Sequence, residues 1–201
     1  MKIALLDYGA GNLASAERAL RRLGAETEWI TTRKAVEQAA ALVLPGVGHI
    51  AALVRFLDKA DLRGALRERI ASGMPVLGIC LGLQIFYESS EEAPEMRGLG
   101  LLAGRVRALP PTVKRPHMGW NRLEALGAGR LLRGVAPGEC FYFAHSYAPP
   151  AKAQGTTAVC THGEAFAAVV EHGNLHGVQF HPEKSGAAGE QVLRNFLEAA
   201  Q

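Results

Sequence analysis

The run Pro75–Ile79 is almost wholly apolar, and it leads directly into Cys80 and a helix-like run, Leu83–Glu88. A strand of this composition is usually buried on both faces, as happens in a parallel sheet that is covered by helices. The run therefore predicts an α/β fold with this strand inside it.

The first half of the chain alternates strand and helix patterns. Strands are predicted at Lys2–Asp7, Glu26–Ile30 and Ala41–Leu44. Asn12 and Asp61 can each cap a helix, and Gly24 and Gly73 can end those helices. The apolar positions of the two helices recur at helical spacing: Leu13, Ala16, Leu20 and Leu23 in the first, and Leu62, Leu66 and Ile70 in the second. Repeated βα units of this kind predict a mostly parallel, doubly wound sheet.

The second half is rich in strands. Strand-like runs follow one another without helices at Glu139–Phe143, Thr156–Cys160, Ala165–Glu171 and Leu175–Phe180. The turn His172-Gly173-Asn174 predicts that the last two form a hairpin, and a final helix is predicted at Ala187–Ala200. The stretch Glu91–Gly119 is rich in Gly and Pro and is predicted to be a long excursion over the surface. With 201 residues, 48% of them hydrophobic, the chain is expected to form one domain with an antiparallel C-terminal half.

Charge and cysteine content exclude several classes of protein. The net charge is +3 and the signs are interspersed, so neither nucleic-acid nor membrane binding is expected. The apolar run at the N-terminus is too short for a signal peptide or a spanning helix. Three cysteines far apart in sequence make neither a disulfide framework nor a metal motif. We therefore expect a cytoplasmic protein.

Cys80 stands at the centre of Gly78-Ile79-Cys80-Leu81-Gly82, which matches the Gly-x-nucleophile-x-Gly elbow with sulfur in place of a hydroxyl. The glycines are needed because larger side chains two residues on either side of the sharp turn would clash. Free N–H groups of the following helix favour a thiolate and can stabilise an oxyanion. The alternative is a buried core cysteine, but the flanking glycines favour a nucleophile. Cys140 and Cys160 lie in strand patterns and are interpreted as structural.

A thiol nucleophile needs a base, and the base needs an orienting group. His181 ends an apolar strand, where active-site groups of open α/β sheets collect. Glu183 lies two residues on, and Pro182 biases His181 toward extended geometry, so carboxylate and imidazole can project to one side. The alternative is a surface strand end with a solvated carboxylate. His172 and His176 flank the turn and are predicted to be exposed; no metal site is expected from them.

Read together, these segments resemble the class I (triad) glutamine amidotransferases, through Gly78–Gln84 and Gln179–Glu183. Further segments are similar to the glutaminase subunits of imidazole glycerol phosphate synthase: Asp7–Leu13, Pro45–Gly48, Pro116–Asn121 and His145–Tyr147. The resemblance covers nearly the whole chain. It departs at Arg115, where a small apolar residue is expected.

The resemblance implies a glutaminase, without a cofactor, that hydrolyses glutamine to glutamate and ammonia. The ammonia would pass through a tunnel to a (β/α)₈-barrel synthase subunit, the partner in a heterodimer that makes imidazole glycerol phosphate in histidine biosynthesis. Cys80 would be the nucleophile, His181 the base and Glu183 the orienting group. The residues expected to hold glutamine are Gly48, Gln84, Glu92, Ser146 and Tyr147. Val47 and Leu81 would supply backbone N–H groups to the oxyanion hole.

The partner face implied by the resemblance comprises Trp120, Asn121, Tyr142 and Lys184. Trp120 and Tyr142 could instead be core aromatics, because large aromatics are enriched in both places. Gln84 could be solvated, and Glu92 could belong to a solvated acidic face.

The loop Pro45–Gly48 also suggests regulation. Glycines flank Val47, so the Gly46–Val47 peptide can adopt two orientations, of which only one aims the Val47 N–H at an oxyanion. We therefore expect a glutaminase that is weak alone and that the ligand-bound partner activates.

Two other functions compete with this interpretation. Gly9-Ala10-Gly11-Asn12-Leu13-Ala14 matches the dinucleotide fingerprint, so an NAD-binding oxidoreductase is an alternative. The acidic residue for a ribose should end the next strand, but Glu28 lies within that strand pattern. A non-catalytic interaction module is a third hypothesis, which the intact triad argues against.

Overall fold

Parallel strands occupy the centre of the molecule in the computed structural model, which describes residues 2–9, 13–127 and 129–201. The strands of the first half are β1 (Lys2–Leu6), β2 (Glu26–Ile30), β3 (Leu42–Leu44), β4 (Val76–Ile79) and β5 (Tyr87–Ser90). Those of the second half are β6 (Leu102–Ala108), β7 (His117–Arg122), β8 (Glu124–Ala125), β9 (Cys140–His145), β10 (Tyr147–Ala148), β11 (Thr156–His162), β12 (Glu164–His172) and β13 (Leu175–Val178). The helices are α1 (Leu13–Arg22), α2 (Arg33–Gln38), α3 (Ile50–Lys59), α4 (Leu62–Ala71), α5 (Leu81–Gln84) and α6 (Gly186–Ala199).

The central sheet has eight strands within the described residues, in the order β2-β1-β3-β4-β13-β12-β11-β8. The pairings from β2 to β13 are parallel, and those from β13 to β8 are antiparallel. The predicted fold class, a mostly parallel sheet with an antiparallel C-terminal half, is therefore confirmed. The predicted hairpin is confirmed too, because His172 pairs with Leu175 across the Gly173-Asn174 turn.

Helices cover both faces of this sheet. One apolar core joins the sheet to α1 and α6, with Leu20 and Phe196 fully buried. The other core joins it to α3 and α4, with Leu57 and Leu66 buried. A sheet that buries both faces needs apolar strands, and β4 is accordingly buried along its whole length. This double cover gives the carboxyl end of β4 a rigid base.

Two smaller sheets stand beside the central one among the described residues: β10-β6-β5 and β7-β9. They contain strands that the sequence reading placed in a surface excursion, Glu91–Gly119, so that prediction is wrong for β6 and the start of β7. Val106 is fully buried in β6 and ties the strand to the core. Pairing with β5 and β10 gave this Gly-rich stretch its strand form.

The helix predicted at Leu83–Glu88 is also wrong in its bounds, because α5 ends at Gln84 and β5 begins at Tyr87. The carbonyl of Ile85 accepts from the Leu99 N–H (2.7 Å), and that of Phe86 accepts from the Leu101 N–H (2.8 Å). These long-range bonds use carbonyl groups that a continuing helix would need.

Three further local predictions concern the helix caps Asp61 and Asn12 and the exposure of His176. Asp61 precedes α4 with a left-handed backbone (φ 51°) and makes no capping bond; its carboxylate accepts from Arg33 instead. Asn12, the other predicted cap, lies outside the described residues. His176 is buried rather than exposed, since β13 lies inside the sheet and its imidazole packs against Phe196. Burial lowers the pKa of His176. Two helices, α2 and α3, were not predicted.

No helix in the described part of the chain is long and apolar enough to cross a membrane.

Candidate active site

Cys80 lies on a strained turn between β4 and α5. Its backbone angles are φ 53° and ψ −105°, a conformation that residues other than glycine rarely adopt. Its N–H donates to the Val178 carbonyl at 2.7 Å, so the turn is bonded to the neighbouring strand. Such strain persists only where the surroundings enforce it, and it is concentrated at functional sites.

The glycines around Cys80 are required by close backbone contacts. A Cβ on Gly82 would lie 1.8 Å from the Leu44 carbonyl oxygen, and one on Gly78 would lie 2.3 Å from the Gly82 oxygen. Gly46 approaches the same turn, where a Cβ would lie 2.5 Å from the Gly82 nitrogen. The clash expected from the elbow pattern is therefore confirmed.

The sheet order brings His181 to Cys80. Strands β4 and β13 are parallel neighbours, with Val178 paired to Ile79, so the residues that follow both strands meet at one edge. His181 is buried and lines the same cavity as Cys80, near enough for the sulfur to raise the pKa of the imidazole. Its backbone N–H donates to the Tyr142 carbonyl at 2.8 Å, which fixes the backbone that carries the imidazole ring.

Glu183 holds the other side of the imidazole. His181 Nδ1 lies 2.9 Å from Glu183 Oε1, and both side chains are at most 5% exposed. Burial lowers the pKa of His181, but hydrogen bonds to Cys80 and Glu183 outweigh it, and the net shift is upward. An imidazole protonated this readily, between a sulfur and a carboxylate, can accept the thiol proton and hold it.

Gln179 is a site residue that the sequence reading did not single out. Its side chain is fully buried, and its Nε2 donates to Cys80 Sγ at 3.4 Å. Its Oε1 accepts from Gln84 Nε2 at 3.1 Å. Gln179 follows β13, so its place in the Gln-Phe-His-Pro-Glu segment was the only signal available.

A cavity of about 210 Å³ opens over Cys80. It is lined by Cys80, His181, Lys184, Ala144 and His145, and by every residue predicted to hold glutamine or the oxyanion: Gly48, Gln84, Glu92, Ser146, Tyr147, Val47 and Leu81. This is below the roughly 300–1,000 Å³ of pockets for drug-sized ligands, so it suits one small molecule. A cavity of similar size between Lys2, Glu28 and Gln38 has no cysteine or histidine among its described lining residues.

Gln84 and Glu92 have structural partners inside this cavity wall. Gln84 is buried, not solvated, and donates to the Tyr147 carbonyl at 2.8 Å. Glu92 is half-buried, and its Oε2 accepts from the Ile50 N–H at 2.8 Å, the first turn of α3. A carboxylate is favoured at a helix N-terminus, so Glu92 is held beside the cavity rather than on a solvated face.

The two predicted oxyanion donors differ in their surroundings. Leu81 opens α5, so its N–H is among the first-turn groups without a partner inside the helix. The Val47 N–H instead donates to the Tyr8 hydroxyl at 3.0 Å. Tyr8 lies in the segment Asp7–Leu13 and had no predicted role of its own; its contact with Val47 spans 39 residues.

Two buried histidines behind the cavity form a hydrogen-bonded chain. Its bonds determine which ring nitrogen of each histidine carries the proton. The Tyr147 carbonyl can only accept, so His145 Nδ1, at 3.0 Å, carries a proton and its Nε2 is an acceptor. His117 Nδ1, at 3.1 Å, therefore donates to that Nε2, and Asn121 donates to His117 Nε2 at 3.3 Å. Burial lowers the pKa of His145 to about 3 and that of His117 to about 4, which keeps both rings neutral.

Three of the four residues predicted for a partner face, Trp120, Tyr142 and Lys184, gather beside this cavity. Trp120 is 58% exposed, which excludes a core position, and its ring lies 6.0 Å from that of Tyr142. Lys184 Nζ lies 5.6 Å from the centre of the Tyr142 ring. Asn121 points to the opposite side of β7, where it donates to the Thr161 carbonyl. Met118, 66% exposed, extends the apolar surface beside Trp120.

Within the described residues, no group of three or more His, Cys, Asp or Glu side chains could hold a metal ion. The three cysteines are free. Residues Ala10–Asn12 of the dinucleotide-like loop lie outside the described residues, while Glu28 pairs with Lys2 on the surface of β1–β2. Nothing in the described site favours the oxidoreductase alternative. Arg115 donates to the Leu109 carbonyl at 3.2 Å.

Solved structures share this fold over nearly its whole length. A glutamine amidotransferase matches with a TM-score of 0.78 and 22% identity, covering 98% of both chains. PurLQS from Thermotoga maritima matches with a TM-score of 0.72 and 17% identity, covering 100% of this chain and 99% of the other. At these identities the likeness concerns the fold alone.

The family model described as glutamine amidotransferase class-I matches residues 4–200, and the chain belongs to that family. Within it, the chain is similar to proteins named imidazole glycerol phosphate synthase subunit HisH. The relative from Deinococcus radiodurans is 46% identical, over 97% of this chain and 92% of its own. The relative from Moorella thermoacetica is 45% identical, over 98% of this chain and 94% of its own. The relative from Methanothermobacter thermautotrophicus is 46% identical, over 98% of each chain.

Proposed function

We propose that this chain, a single amidotransferase domain over residues 1–201, is the glutaminase subunit of an imidazole glycerol phosphate synthase. It hydrolyses glutamine to glutamate and ammonia, and a separate synthase subunit uses the ammonia in histidine biosynthesis. The observation that carries the proposal is the buried His181, which shares one cavity wall with Cys80 and lies, through Nδ1, 2.9 Å from Glu183 Oε1. The relatives named above, similar over almost their whole length, support the particular subunit.

Hydrolysis takes place in two halves in this proposal. The Cys80 thiolate attacks the side-chain amide carbon of glutamine, forming the Sγ–C bond and an oxyanion. His181 gives its proton to the amide nitrogen and the C–N bond breaks. Ammonia departs, and a thioester on Cys80 remains. His181 then takes a proton from water, the resulting hydroxide attacks the thioester, and breaking of the C–S bond releases glutamate and the thiolate.

The surroundings of Cys80 support these roles. Glu183 fixes the imidazole ring and favours its protonated form, as the carboxylate of a triad does. The Leu81 N–H stabilises the oxyanion, and the Val47 N–H adds a second donor when it faces the cavity. Gly48, Gln84, Glu92, Ser146 and Tyr147 hold glutamine. Glu92 adds negative charge to the cavity wall, which suits the substrate's α-ammonium group.

The synthase subunit is proposed to be a (β/α)₈ barrel that docks on Trp120, Asn121, Tyr142 and Lys184 and receives ammonia through a tunnel. An exposed Trp with a neighbouring Tyr and Met forms the type of aromatic surface that protein interfaces favour. Lys184 lines the cavity and also contacts Tyr142, so this face adjoins the site where ammonia would form. Three free cysteines are consistent with the reducing cytoplasm, the proposed location.

The test is glutamine hydrolysis by the chain with the synthase subunit of its own organism, measured as glutamate and ammonia released. Cys80→Ala should reduce turnover by on the order of 10⁴ or more, because it removes the nucleophile. It should leave the fold unchanged, since both residues carry a Cβ at the same strained φ. The variant complex should still make product from added ammonium salts. Robust glutaminase activity in Cys80→Ala would reject the assignment.

A further inference from the structure

One phenolic oxygen binds both backbone polar groups of Val47. The Tyr8 hydroxyl donates to the Val47 carbonyl at 3.0 Å, and the Val47 N–H donates to the same hydroxyl at 3.0 Å. The N–H belongs to the Gly46–Val47 peptide and the carbonyl to the Val47–Gly48 peptide. Tyr8 therefore fixes the peptide planes on both sides of Val47.

This contact competes with the role proposed for Val47. Val47 and Cys80 line one cavity, and Tyr8 is not among the described residues that line it. An N–H group carries one proton, so a Val47 amide bonded to Tyr8 cannot also make a well-aligned bond to an oxyanion above Cys80. In this orientation the oxyanion would depend on the Leu81 N–H and would lack its second donor.

We propose that Tyr8 is a positioning residue that latches the Gly46–Val47 peptide in its inactive orientation, and that activation of the glutaminase requires release of this hydroxyl. The inference rests on the proposed function and adds to it the group that holds the isolated chain at low activity.

The loop is built to turn when the latch opens. Gly48 has φ +96°, and Gly46 lies against the Cys80 turn, where any Cβ would clash with Leu81. Neither residue carries a side chain that must move when the peptide between them rotates. The Tyr8 ring is itself positioned by packing against Phe56, with the two ring centres 6.4 Å apart.

The latch is not a pH switch. The pKa of Tyr8 is raised to about 12: burial, the largest cause, and the nearby Cys80 raise it, and the hydrogen bond with Val47 lowers it. The phenol therefore remains a donor at physiological pH. A signal must instead come from a ligand or partner that binds better to the released state, because only differential binding shifts such an equilibrium.

Tyr8→Phe tests the latch, because it removes the hydroxyl and keeps the ring. We expect the variant, without any partner, to hydrolyse glutamine about tenfold faster than the unaltered chain, within the 10² to 10³ that one oxyanion donor supplies. The gain should be in kcat rather than KM, and stimulation by the synthase subunit should shrink by the same factor. A purely structural role for Tyr8 could lower activity but would not raise it.

Tyr87→Phe is the matched control. Tyr87 is another buried tyrosine, and its hydroxyl has no hydrogen-bond partner among the described residues. The same atom is thus removed without loss of a bond, and basal activity should not change. Adding Cys80→Ala to Tyr8→Phe should abolish the gain, which assigns it to the triad.

Amide hydrogen exchange at Val47 tests the latch in the unaltered chain. The Val47 amide should be protected in the isolated chain and should lose protection when the synthase subunit and its nucleotide substrate are added without glutamine. An unprotected Val47 amide in the isolated chain would overturn the latch. So would a Tyr8→Phe chain with basal activity at or below normal, while the unaltered chain still responds to its partner. If the unaltered chain with its partner hydrolyses no glutamine, the proposed function fails and the latch with it.

Discussion

At His181, two hydrogen-bonding partners overcome the effect of burial. Removing a charge from water would lower an imidazole's pKa, yet the sulfur on one side and the carboxylate on the other raise it. The residue is thus prepared to hold a proton at the point where an amide nitrogen must leave. This makes the Glu183 carboxylate, 5% exposed, as important to the proposed chemistry as the imidazole itself.

Glu183→Gln should therefore lower kcat by on the order of 10² to 10⁴ with little change in KM, since the charge acts on the transition state. Loss of the carboxylate removes a cause that raises the pKa of His181. The descending limb of the pH–kcat profile, where the imidazolium loses its proton, should accordingly move to lower pH. Steady-state hydrolysis across a pH series measures both effects.

Glu28→Gln provides the comparison for this variant, because Glu28 is about half exposed and pairs with Lys2 away from the cavity. Its kcat and pH profile should match those of the unaltered chain. An unchanged kcat in Glu183→Gln would mean that Glu183 only supports the local structure.

The turn between β4 and α5 shows how an element can be fixed by the absence of side chains. Gly82 touches the end of β3 and Gly78 touches Gly82, so the backbone packs on itself. The close approach of Gly46 to the turn places the next residue, Val47, in the wall of the same cavity. A change at Gly82 should therefore disturb both the stability of the sheet and the geometry of the site.

Gly82→Ala should lower the free energy of unfolding by about 3 kcal/mol or more, because its Cβ would lie 1.8 Å from the Leu44 oxygen and backbone must move. Gly64→Ala is the matched control. Gly64 is exposed within α4 and has open space around its Cβ, so alanine there should stabilise by about 0.5–1 kcal/mol. Urea unfolding measures both, and equal stabilities for the two variants would contradict the packing argument.

The elements also show which features a sequence can predict. The elbow, the hairpin and the alternating βα units were readable because each depends on a local pattern of glycine or apolar residues. The short α5 was not, because Ile85 and Phe86 exchange helical bonds for bonds to the 99–101 segment. His176 was misread since a polar residue beside a turn predicts exposure, whereas β13 lies between two other strands.

At the site, the sequence singled out residues in compact motifs and did not single out those that act across long separations. Gln179 and Tyr8 reach Cys80 and Val47 over 99 and 39 residues. The chain of His117 and His145 depends on the register of β7 against β9, in which His117 faces His145. Such contacts follow from strand order, which a single sequence does not specify.

For the whole molecule, the proposed partner face and the cavity lie close enough for binding at one to affect the other. Lys184 belongs to both, and Asn121 on β7 is joined through two histidines to the Tyr147 carbonyl in the cavity wall. A glutaminase that worked without an acceptor would waste ammonia. We therefore expect weak hydrolysis by the isolated chain.

Glutamine hydrolysis should be slow for the chain alone, faster with the synthase subunit, and fastest when the subunit carries its nucleotide substrate. The full increase should reach about 10² to 10³, the value of one oxyanion donor. Steady-state glutamate release under the three conditions measures it. Equal turnover in all three would reject activation and favour a stand-alone glutaminase.

The position of β13 between β4 and β12 also affects how the protein is made. This strand is synthesised about a hundred residues after β4, yet it enters the sheet between β4 and β12. Until it emerges from the ribosome, the edge of β4 beside Cys80 is unpaired, and His181 does not yet exist. The growing chain is thus prone to non-native edge pairing and to slow closure. By the same order of events, it cannot release ammonia before its last strand is in place.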